Sequence, residues 1–170
     1  VEAGSAFGRA LSLYRRGNYV AAAAQAQKAI DLMGGVFWKD AQELLNRCYT
    51  GQQAEEAYQE ALIMEQNGQW ATALREYNAS IALLPDNPLY RDARDRLSLL
   101  INEVNVIQAG FSAVRNINDI IRLSHVQEKI KSLERHTSSQ RVQDIQADFD
   151  NVIMESSKLL EKPERSVDDS

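Results

Sequence analysis

Gly17-Asn18-Tyr19-Val20-Ala21-Ala22-Ala23-Ala24-Gln25-Ala26-Gln27-Lys28-Ala29 decides the fold, because the chain says nearly the same thing again. Gly68-Gln69-Trp70 follows 51 residues after Gly17-Asn18-Tyr19, with Ala73, Tyr77 and Ser80 at the places of Ala22, Ala26 and Ala29. A second pair of phrases, Trp38-Lys39-Asp40-Ala41 and Tyr90-Arg91-Asp92-Ala93, is offset by 52 residues. The small residues recur at i, i+4 and i+7, the spacing of one face of an α-helix. A glycine before each run marks a turn. Units that repeat at this scale stack on their neighbours to bury their apolar faces, and the stack presents an extended surface.

Working outward, apolar spacing predicts helices over about 3–16, 19–33, 37–49, 53–67, 70–84 and 88–108. Gly34-Gly35, Thr50-Gly51 and Asn67-Gly68 read as breaks, and Pro85-Asp86-Asn87-Pro88 as a stop followed by a new first turn. Beyond Gly110 no alanine-rich repeat is visible. Phe111, Val114, Ile117, Ile121 and Leu123 suggest a helix reaching Glu134, and Val142, Ile145, Phe149, Val152 and Ile153 another over about 140–161. Thr137-Ser138-Ser139 supplies a turn with capping residues. No strand pattern appears, so the expected fold is all-α. The expected organisation is a helical-repeat region over 1–108, a C-terminal helical hairpin over 109–161 and a charged tail over 162–170.

The 170 residues are 44% hydrophobic, enough for a core, and carry a formal charge of −5. That charge argues against non-specific nucleic-acid binding, and no aromatic interleaving favours it. Cys48 is the single cysteine, so an internal disulfide is excluded and a reducing, cytoplasmic setting is slightly favoured. No apolar run has the roughly 20 residues that cross a bilayer. The chain begins at Val1 rather than Met, which suggests part of a longer protein. His125 and His136 lie eleven apart with no ligand set at metal spacing, and no metal or other cofactor is expected. No nucleophile elbow or phosphate-cradling glycine loop is present, and no catalytic role is expected.

The two units resemble tetratricopeptide repeats. The stronger match runs from Ala57 through Ala61, Met64, Gly68, Trp70, Ala73 and Tyr77 to Pro85, and the weaker through Ala6, Ala10, Leu13, Gly17, Tyr19, Ala22, Ala26 and Ala29. A third partial match begins at Leu89. The departure is the period, 51 residues here against the family's 34, with the segment Phe37–Tyr49 between the hairpins. A three-helix unit also resembles microtubule-interacting and trafficking domains. The tetratricopeptide resemblance implies a solenoid of antiparallel helical hairpins that holds a peptide or partner protein without catalysis. Its concave candidates are Phe7, Leu11, Tyr14 and Arg15 in the first unit, and Tyr58, Gln59, Leu62 and Gln66 in the second. Phe7, Leu11 and Gln59 stand where one subclass carries its carboxylate clamp, so that clamp is not expected. Tyr58→Asp with Leu62→Asp is expected to abolish capture without unfolding.

Three further expectations come from the residues themselves. Arg15-Arg16 and Arg91, Arg94 and Arg96 are the densest basic spots. Solvated pairing with Asp40, Asp92 and Asp95 is the ordinary reading, and contact with an acidic peptide or phosphate the sharper one. The C-terminal hairpin either closes the repeat stack or forms a coiled-coil arm for self-assembly through Ile117, Ile120, Ile121, Ile145, Phe149, Val152 and Ile153. A regulatory domain of a larger enzyme or transporter is the remaining alternative.

Overall fold

The computed structural model describes residues 1–113 and 120–161, with side chains apart from those of 112–113, 120–122, 156 and 159–161. Within them the fold is all-α. Seven helices follow in order: α1 (Glu2–Arg15), α2 (Tyr19–Leu32), α3 (Lys39–Gln66), α4 (Trp70–Leu83), α5 (Pro88–Ala113), α6 (Ile120–His136) and α7 (Gln140–Glu161). The tail 162–170, Val114 and Ile117 lie outside the described residues.

The duplicated phrase encodes a helix end. Arg16 caps α1, Gly17 sits at φ +75°, and the amides of Gly17 and Asn18 donate to Tyr14 O at 2.9 Å and Leu13 O at 3.0 Å. The same pair of bonds runs from Gly68 and Gln69 to Glu65 O at 3.0 Å and Met64 O at 2.9 Å, with Gly68 at φ +77°. This is the six-residue αL termination that satisfies the last carbonyls of a helix, and it needs a residue without Cβ strain at positive φ. Asn18 then caps α2 by accepting from Ala21 N at 3.3 Å. Asn87 caps α5, accepting from Leu89 N at 3.0 Å, with Pro88 in the first turn where no amide is needed.

One of the expected breaks is absent. α3 runs without interruption through Thr50 and Gly51, so the segments expected at 37–49 and 53–67 are one 28-residue helix. Gly51 is buried because the ring of Tyr19 lies on it; a Cβ there would sit 2.5 Å from Tyr19 Cδ1. Gly110 is likewise inside α5, which continues to Ala113, and a Cβ on it would lie 3.0 Å from Val126 Cγ2. Both glycines mark close approach between elements rather than the end of one.

With α3 continuous, α2 and α4 are both 14 residues long and start 51 residues apart, at Tyr19 and Trp70. Buried positions keep the same internal spacing, Ala22-Ala26-Ala29 in α2, Ala73-Tyr77-Ser80 in α4 and Val126-Ile130-Leu133 in α6.

The chain divides into two compact units, Val1–Ile63 with Ala71–Asp95, and Met64–Trp70 with Arg96–Ser170. In the first, α1 folds back on α2, and Ala10, Ala22, Ala23 and Ala26 pack with Leu44, Leu45 and Cys48. Alanine facing alanine lets the helix backbones approach closely, so dispersion rather than side-chain bulk holds this layer. In the second unit α6 packs on α7, burying Ile130, Leu133, Val142, Ile145 and Phe149, with Phe111 against Phe149 at 5.9 Å between ring centroids. Of the stripe expected for self-assembly, Ile145 and Phe149 are buried, Val152 is half-buried and Ile153 exposed; Ile117 and the side chains of Ile120 and Ile121 are outside the described residues.

Candidate functional site

A groove on the first unit lies at the α1–α2 turn. It encloses about 770 Å³ and is lined by the end of α1, by Tyr19 of α2, by Arg47 and Thr50 of α3, and by the α4–α5 connection from Leu83 to Pro88. Its floor follows from the packing of α1 and α2 on α3. Arg47 and Gly51 are one turn apart and share a face of α3. The Tyr19 ring rests on Gly51, the Arg47 guanidinium lies 4.8 Å from the Tyr14 ring centroid, and Tyr14 meets Tyr19 edge-on at 5.5 Å. Tyr19 is further held by Gln52 Nε2, which donates to its carbonyl at 3.4 Å.

The groove is basic in an acidic chain. Arg15, Arg16 and Arg47 line it and are exposed, and Asp86 is the one acidic residue among its lining. None of these three arginines takes part in the ion pairs found among the described residues, which are Lys39–Glu43, Arg94–Asp95 and Arg96–Glu65. Burial pushes the Tyr19 hydroxyl above its ordinary pKa, with Tyr14 and Glu55 adding to the effect. Tyr19 is therefore a neutral hydrogen-bonding side chain here.

Of the candidates read from the sequence, Tyr14 and Arg15 come together in this groove. Phe7 and Leu11 are half-buried against the alanine core, and Phe7 stacks on Trp38 at 4.7 Å. Tyr58 is half-buried between Tyr77 and Tyr90, at centroid distances of 5.8 and 5.1 Å. A charge at Tyr58 would act on that cluster, so the pair Tyr58→Asp with Leu62→Asp does not separate binding from folding. Gln59 is exposed and donates to Glu55 Oε1 at 2.8 Å, and Leu62 is half-buried. Gln66 belongs to the second unit, where its Nε2 donates to Ser138 O at 2.9 Å.

Among the expected arginine pairings, Arg94 takes Asp95, its neighbour in the chain, at 2.8 Å, while Arg96 makes a two-pronged bond to Glu65 rather than to an aspartate. Sequence reasoning missed Arg47, Thr50 and the Pro85–Pro88 turn as groove residues. No local pattern marks them; the clue was Gly51, read as a break when it is the seat of Tyr19.

Among the described residues no three metal-ligating side chains gather, and no helix is long and apolar enough to cross a membrane. Comparison with family models, with curated proteins and with solved structures gives no significant match.

Proposed function

We propose that this chain is a non-catalytic, tetratricopeptide-like scaffold that holds a peptide segment of a partner protein. The observation that carries this reading is the groove at the α1–α2 turn, with its half-buried tyrosines and exposed guanidinium side chains. Its walls are the ends and faces of helices, so its shape is set before a ligand arrives, which lowers the entropic cost of binding. Tyr and Arg are the side chains that most often anchor protein interfaces. The repeated helix ends give two rigid turn platforms of the same design.

Panning a random peptide display library on the folded chain tests the reading. A recovered sequence that binds saturably in calorimetry, one per chain, and not to the heat-unfolded chain supports it. Absence of any sequence enrichment overturns it.

A second reading, self-assembly, draws on α5. Leu99 and Val106 stand one heptad apart on that helix, 66% and 53% exposed, beside a cavity of about 280 Å³ that Ile107, Lys129 and Ser132 also line. A coiled-coil seam uses this spacing. A monomer mass that stays constant with concentration in light scattering removes this second reading.

A further inference from the structure

We propose that the groove at the α1–α2 turn takes an acidic peptide segment with an apolar anchor, and that Arg15, Arg16 and Arg47 recognise its carboxylates. The proposal rests on the peptide-holding reading above and names its ligand class.

Charge is the first argument. Three arginines face one aspartate in the groove of a chain whose formal charge is −5. A local basic site in an acidic chain attracts anionic segments while the remaining surface repels them, which confines binding to the groove. The arginines have no ion-pair partner among the described residues, although the chain holds 24 acidic side chains. Arg15 in the last turn of α1 also suits the negative end of the helix dipole. That role does not account for Arg47, which lies in the body of α3.

Geometry is the second argument. Arg47 lies over the Tyr14 ring, which restrains its stem and leaves the edge of a planar fork free for a two-pronged bond to a carboxylate. Leu83, Leu84 and Pro85 supply an apolar wall beside Tyr14 and Tyr19. Carboxylates against the arginines and an aliphatic side chain against that wall match the two chemistries of the lining. The Asn87 Oδ1 is engaged in capping α5.

The test uses the full chain and two fluorescein-labelled peptides, one acidic with a central leucine and one with every acid replaced by its amide. Fluorescence anisotropy is read for the unaltered protein, for Arg15→Gln/Arg16→Gln, for Arg47→Gln, and for the control Arg75→Gln/Arg91→Gln, whose sites are exposed and outside the groove. Thermal melts by circular dichroism check that each variant folds. The acidic peptide is expected to bind, the amide peptide not to, and either groove variant to weaken binding by about tenfold or more while the control leaves it unchanged. Equal loss in the control, or equal binding of the two peptides, overturns the proposal, as does heparin binding that all variants share. Display peptides that are not acidic and ignore Arg15 and Arg16 overturn this inference alone. A library that yields no binder overturns the scaffold reading as well.

Discussion

Trp70 Nε1 and Ser139 Oγ are 3.1 Å apart, and the indole donates to the hydroxyl. Ser139 Oγ in turn donates to Glu65 O at 3.1 Å and accepts from Arg141 N at 3.3 Å, so one buried hydroxyl caps α7 and closes the Met64–Trp70 turn. The Arg141 guanidinium lies 5.0 Å from the Trp70 ring centroid. Ser139→Ala removes the cap and all three bonds. We expect a loss of about 1–2 kcal/mol, mostly from the cap, because the indole keeps its second bond, to Glu65 O at 3.2 Å. Urea unfolding of the variant measures it, and Ser139→Thr should recover part of the loss.

Gly51 and the glycines of α1 should respond in opposite senses to the same substitution. Gly4 and Gly8 lie inside α1 with nothing within 4 Å of an added Cβ, so Gly4→Ala or Gly8→Ala should stabilise by about 0.5–1 kcal/mol. Gly51→Ala forces the new methyl into the Tyr19 ring and should destabilise by about 1–3 kcal/mol despite alanine's better helix propensity. Thermal denaturation of the three variants settles the contrast. A stabilised Gly51→Ala would mean that Tyr19 does not rest there.

Glu65 and Arg96 form a two-pronged pair in which the carboxylate side chain is 8% exposed and the arginine 50%. Removing the arginine takes two charge-assisted bonds from a nearly buried carboxylate. Arg96→Leu should cost about 2 kcal/mol, less than a fully buried pair because water reaches the arginine side. Glu65→Gln/Arg96→Leu together should cost less than the sum of the single changes. A double-mutant cycle by chemical denaturation checks this.

Tyr90 is fully buried and its hydroxyl donates to Glu55 Oε2 at 3.0 Å. Burial, then that hydrogen bond and the carboxylate's charge, push its pKa well above the ordinary 10. The folded state thus holds the proton more tightly than the unfolded chain. Its contribution is whole below about pH 10 and is lost as pH rises from there towards the raised folded value. Stability should fall more steeply above about pH 10 in the unaltered protein than in Tyr90→Phe, which at neutral pH should be weaker by about 1–2 kcal/mol. Parallel slopes for the two proteins above that pH would contradict the assignment.

What the sequence made legible was local. Gly17, Gly68 and Pro85–Pro88 declare turns because positive φ and a missing amide are properties of the residue itself. Gly51 misled because a glycine that ends a helix and one that admits a neighbour look alike in sequence; only the partner ring tells them apart. Tyr14 and Arg15 were visible as candidates because they sit in the duplicated hairpin. Arg47 and Asp86 join them only through packing between elements far apart in the chain, and no spacing rule records that. Ser139 was recognisable as a cap, but its bond to Trp70 spans 69 residues and was not.

Cys48 gives the molecule a clock of its own. The thiol has no exposed surface, burial pushes its pKa up, and no other cysteine exists to compete with it. A thiol-reactive dye can reach it only when the alanine layer of the first unit comes apart. The rate of colour development therefore counts those openings directly, one sulfur per molecule, and a ligand seated on that unit would be heard as a slower tick.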